Sequence, residues 1–185
     1  MIVALLAPGP SATREQAEAV WPLPLGVVGC AFQLAPWADF IASSDAKWWR
    51  TYPEAMQLPE RYCMANHVRG VERVRIGIAT CCNSGVLALE VAKRKGATRI
   101  LLLGFDMHGS HFFGKYTNGL TNTIPAKRKQ HLIQYAQWKR MNPGVDVINC
   151  TPSSALQCFP KARLEDVVCR HVQVGDAGVS GDVHC

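Results

Sequence analysis

The chain has no continuous apolar run approaching the roughly 20 residues that a membrane helix needs, so no spanning segment is expected. It has no C-x-x-C pair among its eight cysteines, which removes the commonest zinc and redox spacings. It also lacks G-x-G-x-x-G and a P-loop lysine, which removes two named phosphate fingerprints. Charge is sparse, at 18% Asp, Glu, Lys and Arg, and no block of like charge is long enough to hold a segment open. Met1 to Ala7 is apolar but short, has no basic n-region and runs into Pro8-Gly9-Pro10, so it is not expected to be a signal peptide. A cytoplasmic protein with reduced core thiols is the expectation that follows.

What is present suits one ordinary folded domain. The 185 residues are 48% hydrophobic, enough for a single core and too few for two typical domains. Twenty Lys and Arg against fourteen Asp and Glu give +6, a balance that favours an anionic ligand without specifying nucleic acid.

Short apolar runs alternate with helical patterns. Residues 1–6 (MIVALL) read as a buried strand, followed by the turn Ala7-Pro8-Gly9-Pro10-Ser11 and a helix whose Thr13 and Gln16 have capping-box spacing. Further strands are expected at 25–29, 39–42, 99–103 and 145–149, and one or two within 61–79. Helices are expected after Asn83-Ser84-Gly85 and over 126–141, where His131, Tyr135 and Trp138 share one face. Residues 107–125, rich in glycine, asparagine and aromatics, read as a functional loop that closes over substrate. A short helix and a flexible tail are expected over 161–185, behind a domain of residues 1–160.

Alternating strands and helices predict an α/β domain with a mostly parallel, doubly wound sheet and helices on both faces. Ligands of such sheets bind beyond the carboxyl ends of the strands, where strand order reverses. That rule selects the loops 7–13, 43–47, 104–114 and 150–154. Gly9-Pro10-Ser11 and Ser84-Gly85 open helices, where backbone N–H groups meet phosphate, although an ordinary capped turn explains either alone. Asp106 follows the most apolar strand, in the position of a carboxylate that meets ribose hydroxyls or a metal, and Asp45 shares that ambiguity. His131 has the near-neutral chemistry of a general base; His111 sits in the covering loop. His108, His111, Asp45 and Asp106 lack metal-site spacing, so no metal site is assigned.

Taken in order, APGPS, APWADFIASSD, NSG, GATRILLLGFDM and NCTPSSALQCF resemble the motifs of a Rossmann-like group. The group includes bacterial sialyltransferases that use CMP-sialic acid, motility accessory factors of flagellin glycosylation, and archaeal 6-hydroxymethylpterin diphosphokinases. The compact form is most similar to phage and prophage members, and the resemblance covers residues 2–160. It implies a nucleotide pocket lined by Gly9, Pro10, Ser11, Ser84, Gly85 and Asp106, with Ser44 or Asp45 after the third strand. The late Pro152-Ser153-Ser154 corresponds to the group's P-N-S segment, which adds Ser153 and Ser154. A catalytic histidine is implied at His131, with His111 competing, and Asp45 is a further catalytic candidate that would contact the donor or acceptor. Two departures stand out: Val28-Gly29-Cys30 replaces the usual asparagine, and paired tyrosines are absent unless Tyr116 supplies one.

The resemblance therefore implies a nucleotide-binding, glycosyltransferase-like enzyme that takes a nucleotide-sugar donor and needs no cofactor. A first alternative is ATP-dependent pyrophosphoryl transfer, with Mg2+ held by Asp45 and Asp106. A second is a non-catalytic phage accessory protein that binds nucleotide or nucleic acid through its KRK clusters at 93–95 and 127–129 and an exposed Trp48-Trp49 pair.

Overall fold

The computed structural model describes residues 1–65 and 67–168. The tail expected beyond Val168 lies outside the described residues. Seven strands, β1 (Ile2–Leu6), β2 (Leu25–Val28), β3 (Phe40–Ala42), β4 (Glu60–Cys63), β5 (Glu72–Arg73), β6 (Arg99–Leu103) and β7 (Asp146–Asn149), form one sheet. Its order is β5-β4-β3-β2-β1-β6-β7, and every pair is parallel. Among the described residues it is accompanied by α1 (Arg14–Ala19), α2 (Ala46–Thr51), α3 (Ser84–Arg94) and α4 (Pro125–Met141), with a further helical stretch over residues 164–168.

The central strands are continuous apolar runs because both of their faces are covered. In β1, Val3 and Leu5 enter one core cluster while Ala4 and Leu6 enter the other. The same alternation separates Ile100 and Leu102 from Leu101 and Leu103 in β6. The first cluster lies beneath α3 and α4 and contains Leu87, Leu89, Tyr135 and Trp138. The second holds Ala17 of α1, Trp48 and Trp49 of α2, and Val167 of the helical residues 164–168. At the sheet edge, β5 is two exposed charged residues, a short end that offers little to another strand.

Strands β1 to β5 add in one direction, and the chain then returns to place β6 on the opposite side of β1. Right-handed crossovers in opposite directions put their helices on opposite faces, which explains why α1 and α2 share one side and α3 and α4 the other. The result is the expected doubly wound, Rossmann-like architecture, and the strand order reverses between β1 and β6. Among the described residues no helix is long and apolar enough to cross a membrane.

Helix ends follow the sequence signals. Thr13 and Gln16 form a reciprocal capping box at α1. Asn83 caps α3 by accepting from the N–H groups of Gly85 and Val86. Helix α4 buries Tyr135 and Trp138 of the face anticipated from spacing, with His131 half-buried, and also buries Gln134, which was not anticipated.

Candidate functional site

At the β1–β6 reversal the two strand ends are drawn together. The N–H of Ala7 donates to Leu103 O at 2.8 Å, and that of Gly9 to Gly104 O at 3.1 Å. Gly104 has φ +66, which turns the chain after β6. Asp106 is 2% exposed, and its Oδ2 accepts from the Ser11 hydroxyl at 2.8 Å and from the Ser11 N–H at 3.3 Å. No hydrogen bond among the described residues ends on its Oδ1. A Cβ on Gly9 would collide with Asp106 Oδ2 and with Gly104 O, so glycine permits this approach.

The segment after β7 supports the same corner from below. Ser154 is buried, donates to Phe105 O at 2.5 Å and accepts from the N–H of Leu156. The Ala155 N–H donates to Asp106 O at 2.8 Å. Ser153 is exposed, and its carbonyl lies 3.1 Å from His108 Nε2. The structure thus brings together Gly9, Ser11 and Asp106, with Pro10 exposed beside them and Ser154 acting as a support.

A second group forms at the head of α3, beyond β3. The Ser44 N–H donates to Ser84 Oγ at 2.9 Å, the two hydroxyls lie 3.0 Å apart, and Ser44 Oγ donates to Cys82 O at 2.8 Å. Lys127 of α4 donates to Cys82 Sγ at 2.6 Å. One turn on, His131 is half-buried, and its Nε2 is enclosed without a partner among the described residues. Gly85 lacks the Cβ that would strike the Tyr135 hydroxyl, so this glycine serves the packing of α3 on α4. Beta-strand spacing puts the ends of β3 and β1 roughly 10 Å apart.

Residues 107–124 lie down across the carboxyl edge. The Phe112 N–H donates to Pro8 O, Lys47 Nζ to Gly119 O, and Arg128 Nη2 to Gly109 O. His111 stacks on Phe113 with centroids 4.8 Å apart and packs on Tyr116. Burial holds its imidazole below the ordinary value, against the Gly114 carbonyl bond that raises it. The Tyr116 hydroxyl is 3.4 Å from Cys30 Sγ, in an aromatic group with Tyr52. Asp45 stands apart: it is exposed and caps α2 by accepting from the Lys47 N–H at 2.8 Å.

His131 has its imidazole pushed down to about 4, first by burial and then by the positive charges of Lys127 and Arg128. It is therefore neutral at pH 7. Because the unfolded chain takes this proton near the ordinary value of about 6.5, folding stability is complete above that pH and is lost as pH falls toward 4. The expected loss between pH 7 and 4.5 is on the order of 2 kcal/mol. Urea unfolding across that range should show it, and His131→Gln should flatten the profile relative to wild type.

Several sequence expectations are corrected here. Trp48 and Trp49 are 4% and 3% exposed and send their indole N–H groups to Cys30 Sγ and Ser43 O, so they present no stacking surface. The first KRK cluster is engaged, with Lys93 and Arg94 on Glu90 and Lys95 on Glu60. Asp45 and Asp106 follow strands three positions apart, roughly 14 Å at their ends, rather than flanking one point. Among the described residues no group of three or more His, Cys, Asp and Glu side chains converges.

Sequence reading placed Asn83 at the opening of α3 but missed Cys82 and Lys127 as members of this group. Only the four-residue step from Lys127 to His131 signalled that these two share a face. Two shallow depressions of about 340 Å3 each lie elsewhere, one along β4 and β5, the other between α2 and residues 67–69. Comparison with protein-family models, curated proteins and solved structures gives no match in any of the three.

Proposed function

We propose that the carboxyl edge between β1 and β6 binds a nucleotide, and that the protein is a glycosyltransferase-like transferase drawing on a nucleotide-sugar donor. The observation that supports this best is Asp106. Its carboxylate is held by Ser11 through one oxygen, while the other accepts nothing from the described residues and is the natural acceptor for ribose hydroxyls. Gly9 and Pro10 form the wall beside it.

On this reading Ser44 and Ser84 face the phosphate, and Lys127 and Arg128 supply positive charge for the departing nucleotide. That arrangement needs no metal. An anion bound beside the two cations would offset the charge that depresses His131, raising its basicity when the donor is in place. His131 would then take the acceptor's proton or give one to the leaving phosphate. Residues 107–124 would exclude water from the transfer.

The test is calorimetry with CMP, UMP, UDP, GDP, ATP and CMP-sialic acid, with and without Mg2+, on wild type and Asp106→Ala. Metal-independent binding of one nucleotide or its sugar, weakened at least about tenfold in the variant, is expected. Binding of ATP only with Mg2+ would replace this reading with pyrophosphoryl transfer, and a flat panel would overturn it.

A further inference from the structure

The net charge of the chain sits in one stretch. Residues 107–145 hold six of its twenty Lys and Arg and none of its fourteen Asp and Glu, so the rest of the chain, with fourteen of each, balances. The six are Lys115 in the covering loop and Lys127, Arg128, Lys129, Lys139 and Arg140 on α4. None of them joins an ion pair among the described residues. Lys127, Arg128 and Lys129 stand near the start of α4, the end where the helix dipole disfavours positive charge, and no acidic residue in the first turn offsets it. Such a placement costs helix stability until an anion from outside offsets the charge.

These cations differ in where they turn. Lys127, Arg128 and Lys139 reach back onto the protein, to Cys82 Sγ, Gly109 O and Cys158 O. Lys115, Lys129 and Arg140 are exposed. Lys129, Ile133 and Arg140 recur at i, i+4 and i+11, which sets them in one line along α4, opposite the buried Gln134, Tyr135 and Trp138. The line is about 16 Å long. Near its loop end, Arg128 lies close enough to His111 for its charge to be felt by the imidazole. Phe113 is stacked on that imidazole with the two planes 3° apart, and its ring is 36% exposed.

We propose that the outer face of α4 and the covering loop form a docking surface for single-stranded nucleic acid. Lys129 and Arg140 meet phosphates along the helix, Lys115 meets another in the loop, and Phe113 receives an unstacked base. The charge, unbroken by any acid, is complementary to a phosphate backbone. An anionic membrane fits less well, because the line carries one apolar side chain, Ile133, between its cations, whereas an interfacial helix needs a continuous apolar face. An acidic peptide matches the charge but brings no base to Phe113. The surface uses none of Gly9, Ser11 and Asp106, so it does not rest on the proposed nucleotide site.

Fluorescence anisotropy of labelled DNA and RNA strands of about 12 nucleotides, titrated with the intact protein over a series of salt concentrations, tests this. Three phosphate contacts predict a slope of log Kobs against log salt of about −2. Lys129→Gln combined with Arg140→Gln should bring the slope to about −0.7 and weaken binding at low salt at least about tenfold. Both side chains are exposed, so this variant keeps the fold. Phe113→Ala should weaken binding about fivefold with the slope unchanged, and Phe113→Tyr should retain it. No binding of either strand, a wild-type slope in the double variant, or duplex DNA or polyglutamate held as tightly as the single strand would overturn the proposal. Strand binding together with a flat nucleotide panel would remove the nucleotide site and leave this surface standing; the reverse pair of results would do the opposite.

Discussion

Replacing Gly104 with alanine is expected to destabilise the protein by about 3 kcal/mol, lowering Tm by roughly 6–12 °C. Two effects add. At φ +66 an L-residue is strained by about 1 kcal/mol, and the new Cβ would sit 2.5 Å from Ala7 O and 2.7 Å from Ala12 Cβ. Neither neighbour can withdraw, since one is the backbone leaving β1 and the other belongs to the turn before α1. Gly96→Ala separates the two effects: Gly96 has φ +90, but nothing lies within 4 Å of its Cβ position. That variant should cost only about 1 kcal/mol. Equal losses for the two variants would mean that the β1 and β6 ends are not pressed together as described.

Truncating Trp138 to alanine is expected to cost about 4 kcal/mol, the middle of the range for a buried aromatic. The ring is 1% exposed between α4 and α3, and its Nε1 donates to Glu90 Oε2 at 3.1 Å. Burial pushes the Glu90 carboxyl up, but its bonds to Lys93, Arg94 and Trp138 outweigh that and hold it below the usual carboxylate range. The variant therefore opens a cavity and also removes one of the donors that keep a buried charge satisfied. Trp138→Phe, which fills most of the volume and loses the donor, should cost about 1–3 kcal/mol. Chemical denaturation of both variants checks the pair; a loss below about 1 kcal/mol for alanine would contradict the packing of α4 on α3.

The parts of this fold that were legible in the sequence are those whose burial imposes a pattern. Strands β1 and β6 read as apolar runs because each has a core on both faces, and α4 announced its inner face through Tyr135 and Trp138. Strand β5 was not legible residue by residue, since Glu72 and Arg73 are exposed and are strand only through pairing with β4. Trp48 and Trp49 misled for a related reason. Adjacent aromatics on a six-residue helix suggest that one must face water, yet the Cys30 sulfur and the Ser43 carbonyl satisfy both indoles inside. The loop at 107–124 carries no periodicity because what orders it is distant: Pro8, Lys47 and Arg128.

The candidate site divides in the same way. Asp106 could be found from its place after the central strand, but its partner Ser11 lies 95 residues away, and only the parallel pairing of β1 with β6 joins them. Gly85 and Ser154, singled out with the ligand residues, are occupied in packing against Tyr135 and in holding Phe105 O. The structure brings Gly9, Ser11 and Asp106 together at one corner, with Ser44 and Ser84 across the edge, and the proposed nucleotide site rests on these residues.

The claim on which the functional account turns is where an anionic ligand binds. The nucleotide titration followed at residue resolution, by amide chemical shifts in labelled protein, tests it most directly. The account predicts that the shifts concentrate at Gly9, Ser11, Ser44, Ser84 and Asp106 and in the covering loop 107–124. Shifts confined to the depression between α2 and residues 67–69, or scattered over the exposed lysines, would contradict it.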